Sequence, residues 1–85
     1  MTDVTDNAAA SRFELTENGR LAYADYRREP GRLIIDYVFS PPELRGQGTA
    51  GRLMAGLAAS AAAQGETIVP VCGYAAAWLR RNPQA

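Results

Sequence analysis

The sequence predicts an α+β domain with an α/β-like second half, its elements running β-β-β-α-β-α. Two strong turn signals, Asn18-Gly19 and Pro30-Gly31, divide a stretch rich in aromatic and β-branched residues into three runs. After Glu43 the apolar period changes from two to that of a helix, and a short apolar run with a last helical segment follows. Together these give a three-strand antiparallel meander followed by an α-β-α unit.

Each element has its own justification. Residues 1–11 are polar, small and aperiodic, which reads as a flexible N-terminal arm ahead of a single domain over 12–85. Gly accepts positive φ and Pro presets its own, so the three runs fold back on one another as hairpins. In the second run Leu21, Tyr23 and Asp25 alternate with Ala22, Ala24 and Tyr26. In the third, Leu33, Ile35, Tyr37 and Phe39 alternate with Ile34, Asp36 and Val38, and apolar residues on both faces make this strand central. Ala50, Leu53, Leu57 and Ala61 share one face of a helix predicted over about 48–64, and Gly65 suits its C-terminal closure. The run "ETIVPVC" reads as a strand parallel to the third, because a helix links them. The final "GYAAAWLRRN" reads as a helix that ends at Pro83, with Arg80 and Arg81 at its negative end.

Composition narrows the function. The chain has 85 residues, 47% of them hydrophobic and 21% charged, a balance that supports one small globular domain. Nine basic residues, all Arg, balance nine acidic ones, so no overall charge favours nucleic acid or an anionic membrane. No apolar run approaches the roughly 18 residues of a membrane span. There is no His, and the single Cys72 can form neither an internal disulfide nor a thiolate zinc site. A cytoplasmic protein without a metal is the expectation, and its free sheet edges are compatible with a monomer or a weak dimer.

The stretch "PPELRGQGTAGRLM" contains a G-x-G-x-x-G at Gly46, Gly48 and Gly51. A dinucleotide fingerprint joins strand to helix almost directly, whereas Pro41 to Leu44 intervene here, and Glu66 precedes its strand rather than ending it. A P-loop would need Lys after the second Gly. Two readings remain for the loop. Glycines before a helix start leave backbone N–H groups free to hold an anion, or Gly46 and Gly48 make a turn while Gly51 and Gly56 permit close packing.

"LRGQGTAGRLM" resembles the acyl-CoA-binding motif of the GNAT N-acetyltransferase superfamily, Gln/Arg-x-x-Gly-x-Gly/Ala, with Arg45, Gly48 and Ala50 at its fixed positions. Residues 12–83 are similar to the small single-domain YjdJ-type members through "SPPELRGQGTA" and "IVPVCGYAAAWLRRNP". The chain departs from that pattern at Tyr37 and Val38, where those proteins carry His-Thr, at Gly73 for Pro, and at Asn82 for His. The resemblance implies a minimal GNAT-like fold that binds acetyl-CoA through Arg45, Gly46, Gln47, Gly48, Thr49 and Ala50. It further implies that the pantetheine chain pairs with backbone groups at Phe39, between splayed strands. The implied activity is acetyl transfer to an unidentified amine, a small molecule or a protein. The alternative is a catalytically inactive CoA-binding or protein-interaction module.

Cys72 matches those proteins' active-site cysteine and reads either as nucleophile or base relay, or as a small buried hydrophobe. Tyr74 reads as the donor of a proton to the CoA thiolate, or as an aromatic core residue. Asp36 and Glu43 are the carboxylates nearest in sequence for a base and read either so or as a solvated face, and Trp78 and Leu79 read as cover for the sheet.

Overall fold

A computed structural model describes residues 3–83. Among these residues one mixed sheet of five strands, in sequential order, carries two α-helices. The predicted meander is present as β2 (Arg12–Glu17), β3 (Arg20–Glu29) and β4 (Arg32–Phe39), paired antiparallel. Its two turns use the residues that signalled them, with φ of 51° at Asn18, 73° at Gly19 and 73° at Gly31. Helix α1 (Thr49–Ala63) leads to β5 (Thr67–Pro70), parallel to β4, and α2 (Gly73–Arg81) closes the chain.

The expected arm is corrected. Residues 1 and 2 lie outside the described residues, but Thr5–Asn7 forms an additional edge strand, β1, antiparallel to β2. Its polar side chains hold it there. Asp6 accepts hydrogen bonds from the Tyr26 hydroxyl at 2.6 Å and from Arg28 at 3.3 Å, while Asn7 donates to Glu14 at 3.1 Å. Arg28 also grips Glu66 at 2.7 Å, which ties this corner to the connection before β5.

The core lies between the sheet and both helices. Phe13, Leu15, Ala22, Ala24 and Tyr26 from the sheet meet Leu53, Met54 and Leu57 from α1 and Ala75 from α2. Trp78, Leu79 and Cys72 pack partly buried against its margin. Phe13 and Tyr26 have ring centroids 5.1 Å apart in a tilted arrangement, a geometry favoured by the aromatic quadrupole.

The third predicted strand behaves as two different halves. Leu33, Ile34 and Ile35 are buried, with β3 on one side and β5 on the other. The register against β3 then shifts: Tyr26 faces Ile35, but Asp25 faces Tyr37, so Asp36 is an extra residue in a bulge. The bulge resets the alternation. Val38 turns inward to the core, whereas Tyr37 and Phe39 turn to the other face, where Phe39 stacks on Tyr23 at 5.1 Å. The strict alternation of Leu33, Ile35, Tyr37 and Phe39 is therefore overturned by one residue of inserted backbone.

Pairing of β4 with β5 stops at the same place, Ile35 opposite Pro70. The N–H groups of Val71 and Cys72 both donate to the Ile35 carbonyl at 3.0 Å, and the chain then leaves the sheet as α2. Thr67 and Val71 donate toward β4, so the nitrogen of Pro70 falls on the open side of β5, where a missing N–H breaks no ladder bond.

Candidate active site

Beyond Ile35 the β5-facing edge of β4 has no strand partner among the described residues. A cleft of about 370 Å³ opens there, in the size range of small-molecule sites. Its floor is the second half of β4 and Ser40. One wall is Arg45, Gly46 and the start of α1 from Gly48 to Gly51, and Tyr74 of α2 adds to the lining beside Gly51.

The wall is built by the glycine loop. Pro42, Glu43 and Leu44 form one 3-10 turn, with Leu44 buried. Gly46 and Gly48 then adopt φ of 80° and 79°, conformations that side chains disfavour, and Gly48 caps α1 without a side-chain hydrogen bond. The first helical bond is Arg52 N–H to the Gly48 carbonyl at 3.0 Å, so the N–H groups of Thr49, Ala50 and Gly51 precede the ladder. Gly51 also admits α2 closely: a Cβ there would lie 3.8 Å from the Trp78 Nε1 and 3.9 Å from the Tyr74 hydroxyl.

Seven of the nine sequence-predicted site residues line this cleft: Phe39, Arg45, Gly46, Gly48, Thr49, Ala50 and Tyr74. Arg45 donates Nε to the Ser40 carbonyl at 3.1 Å, which holds its guanidinium at the rim. Gln47 turns away and donates its side-chain amide to the Glu43 carbonyl at 2.8 Å. Cys72 is half-buried at the edge of the core, one residue before α2, and is not part of the cleft lining. Asp36 pairs with Arg27 at 2.8 Å on the outer face, and Glu43 lies 4.0 Å from Arg20. Both fit the solvated-face reading.

Two residues of the loop's support, Glu17 and Arg52, are absent from any local sequence signal. Glu17, at the end of β2, accepts two hydrogen bonds from Arg52, at 2.7 and 2.8 Å, and one from the Thr49 hydroxyl at 2.6 Å. Arg52 also donates to the Gln47 carbonyl at 2.9 Å. These donors, Arg52 first, hold the Glu17 carboxyl down to about 2. Thr49 is the buried polar residue of α1, 1% exposed, and Glu17 is what satisfies it. Glu17 and Arg52 are 35 residues apart, so only the fold brings them together.

A family of GCN5-related N-acetyl-transferases matches residues 12–85. The chain belongs to this family. The match begins at the first residue of β2 and spans the meander, the glycine loop and both helices. No curated protein matches the chain. Among the described residues, no helix is long and apolar enough to cross a membrane.

The cleft lining has a chemistry suited to a ligand that carries a diphosphate and an amide-bearing chain. A diphosphate needs N–H donors and close backbone approach, which the start of α1 and Gly46, with open space where a Cβ would lie, offer. An amide-bearing chain needs an unpaired strand edge, which β4 offers after Asp36. The Ser40 hydroxyl is buried beside this floor without a hydrogen-bond partner, a polar atom left over for a ligand or a bound water.

Proposed function

We propose that this GCN5-related N-acetyltransferase binds acetyl-CoA in the cleft and transfers its acetyl group to a primary amine. One observation carries the reading: the free N–H groups of α1 and the unpaired edge of β4 meet in a single cleft. The diphosphate lies on the N–H groups of Thr49, Ala50 and Gly51, with the positive end of the helix dipole behind them and Arg45 at the rim. The pantetheine chain then runs along Val38 and Phe39, adding a partial strand where β5 has left off.

This alignment directs the thioester toward the point where β4 and β5 part, next to Cys72 and the start of α2. The acceptor nitrogen attacks the thioester carbonyl, a C–N bond forms, and the C–S bond breaks as the thiolate leaves. Tyr74, 38% exposed and on the cleft, donates the proton that the thiolate takes up. The amine loses its proton to water at the open mouth. In this direct transfer Cys72, half-buried at the edge of the core and outside the cleft lining, carries no acetyl intermediate.

Titration with acetyl-CoA, followed by amide NMR, tests the binding step. Shifts are expected at residues 38–39 and 46–51, and their absence at millimolar ligand removes the reading. Release of free CoA thiol with a panel of primary amines tests the transfer step. Tyr74→Phe lowers the rate about 10²-fold if Tyr74 is the acid, while leaving acetyl-CoA affinity unchanged. Tight binding without turnover for any amine would mark a binding module instead.

A further inference from the structure

We propose that Glu17, acting through Arg52 and Thr49, is a positioning residue that holds the glycine loop in its anion-ready shape. This inference rests on the donor-site reading given above. Arg52 is two residues past Ala50, where a cation would be expected to reach for phosphate. Its guanidinium is committed elsewhere. Its Nε and Nη2 both donate to Glu17, and it lines a separate groove with Leu15 and Ala55, behind the loop.

From that side it fixes the loop at three points. Arg52 takes the Gln47 carbonyl, between the two glycines of positive φ, and so sets the direction of the peptide that leads into Gly48. It lies over Gly48 so closely that a Cβ there would be 3.1 Å from Nη1. Glu17 meanwhile fastens the Thr49 hydroxyl, the first residue of α1, to the end of β2. A loop with two left-handed glycines has high backbone entropy to lose when it closes on an anion. A bidentate charged fork anchored on the sheet removes that entropy before the ligand arrives.

The reading makes a prediction whose sign is opposite to that of direct phosphate binding. Were Arg52 a latent phosphate ligand, Glu17→Gln would release it and delete a nearby negative charge, so CoA would bind more tightly. As a clamp, Glu17→Gln frees the loop, and CoA binds about tenfold more weakly. Calorimetry with CoA, and with pantetheine, which lacks the diphosphate, reads the difference. The expected result is a tenfold loss for CoA with pantetheine affinity unchanged within about twofold, because only the diphosphate wall has been disturbed. Equal or tighter binding of CoA overturns the proposal, as does an equal loss for both ligands.

A second readout needs no ligand. The heteronuclear ¹⁵N NOE at Gly46, Gln47 and Gly48 is expected to fall in Glu17→Gln, and to stay at the wild-type value in Glu14→Gln, whose carboxylate pairs with Arg12 instead. Unchanged values in Glu17→Gln overturn the clamp. Should Glu17→Gln lose its folded amide dispersion, Arg52→Lys reads the same quantity, since it keeps the charge and removes the fork. Should wild-type protein not bind CoA, the donor-site reading falls, and the NOE still decides whether the clamp exists.

Discussion

The two halves of β4 are consecutive pieces of one strand with opposite duties. From Arg32 to Ile35 the chain is hydrogen-bonded on both sides, and Leu33, Ile34 and Ile35 are buried. From Asp36 to Phe39 it keeps β3 but loses β5, and Tyr37 is 49% exposed. A single bulged residue separates the two conditions. The first half contributes stability in proportion to the apolar surface it hides, while the second leaves backbone donors and acceptors open at the wall of a cleft. A small domain can thus build a site without sacrificing core, by letting one strand outlast its neighbour.

The largest expected effect breaks the closed half. Ile35→Ala removes a side chain with no exposure from the centre of the sheet, and costs about 2–5 kcal/mol. Against the roughly 4–13 kcal/mol expected for a chain of this length, urea denaturation should show a much lower midpoint. Ligand affinity should fall only as the folded fraction falls. A loss below 1 kcal/mol would mean that the closed half is not what holds the sheet.

Deleting Asp36 breaks the open half instead. The register with β3 survives, since Ile35 already faces Tyr26 and Tyr37 already faces Asp25. Only a solvent-exposed ion pair with Arg27 is lost, and water and salt screen it to a small contribution. Acetyl-CoA affinity should nevertheless drop at least about tenfold, because the bulge sets the bend and aim of residues 37–39, and a straight β4 would displace the cleft floor from the glycine loop. Retained affinity in a folded deletion variant would separate the bulge from the site. Gly48→Ala is expected to act between these in kind: a left-handed alanine costs about 1–2 kcal/mol, and its methyl presses on Arg52. Calorimetry should show weakened CoA binding with a modest fall in the urea midpoint.

The same contrast explains what the sequence disclosed. The closed half obeys local rules, so Asn18-Gly19, Pro30-Gly31, the helical period from Leu53 to Ala61 and the closure at Gly65 were all readable, as was the loop that carries Arg45, Gly48 and Ala50. Three features were not. The bulge at Asp36 leaves the pattern of apolar residues on either side intact, and the parity change is visible only in the pairing with β3. Strand β1 has no apolar signal at all, and exists because Asp6 finds Tyr26 and Arg28 some twenty residues on. The clamp of Glu17 and Arg52 joins residues on two elements that only the finished fold places together. Each missed feature depends on a partner distant in sequence, which no local period encodes.

The smallest expected effect sharpens the boundary between the halves, by asking whether the Arg27 pair or the packing around it sets the bulge. Arg27 donates both Nε and Nη2 to Asp36, and these bonds hold the Asp36 carboxyl below its ordinary value of 3.8. With a depressed folded pKa, the pair's contribution is fully present above the unfolded value and is lost as pH falls below about 4 through the folded one. Asp36→Asn should therefore lower the urea midpoint slightly at pH 7, and the gap from wild type should vanish as the pH falls through that window. One molar salt should shrink the gap as well, since the pair is solvent-exposed. Acetyl-CoA affinity at pH 7 should stay within about twofold of wild type, because Val38 and Tyr37 already face opposite sides and packing, not charge, keeps the extra residue out of register. A tenfold loss of affinity in Asp36→Asn, with the urea midpoint nearly unchanged, would instead make the ion pair the device that opens the second half of the strand.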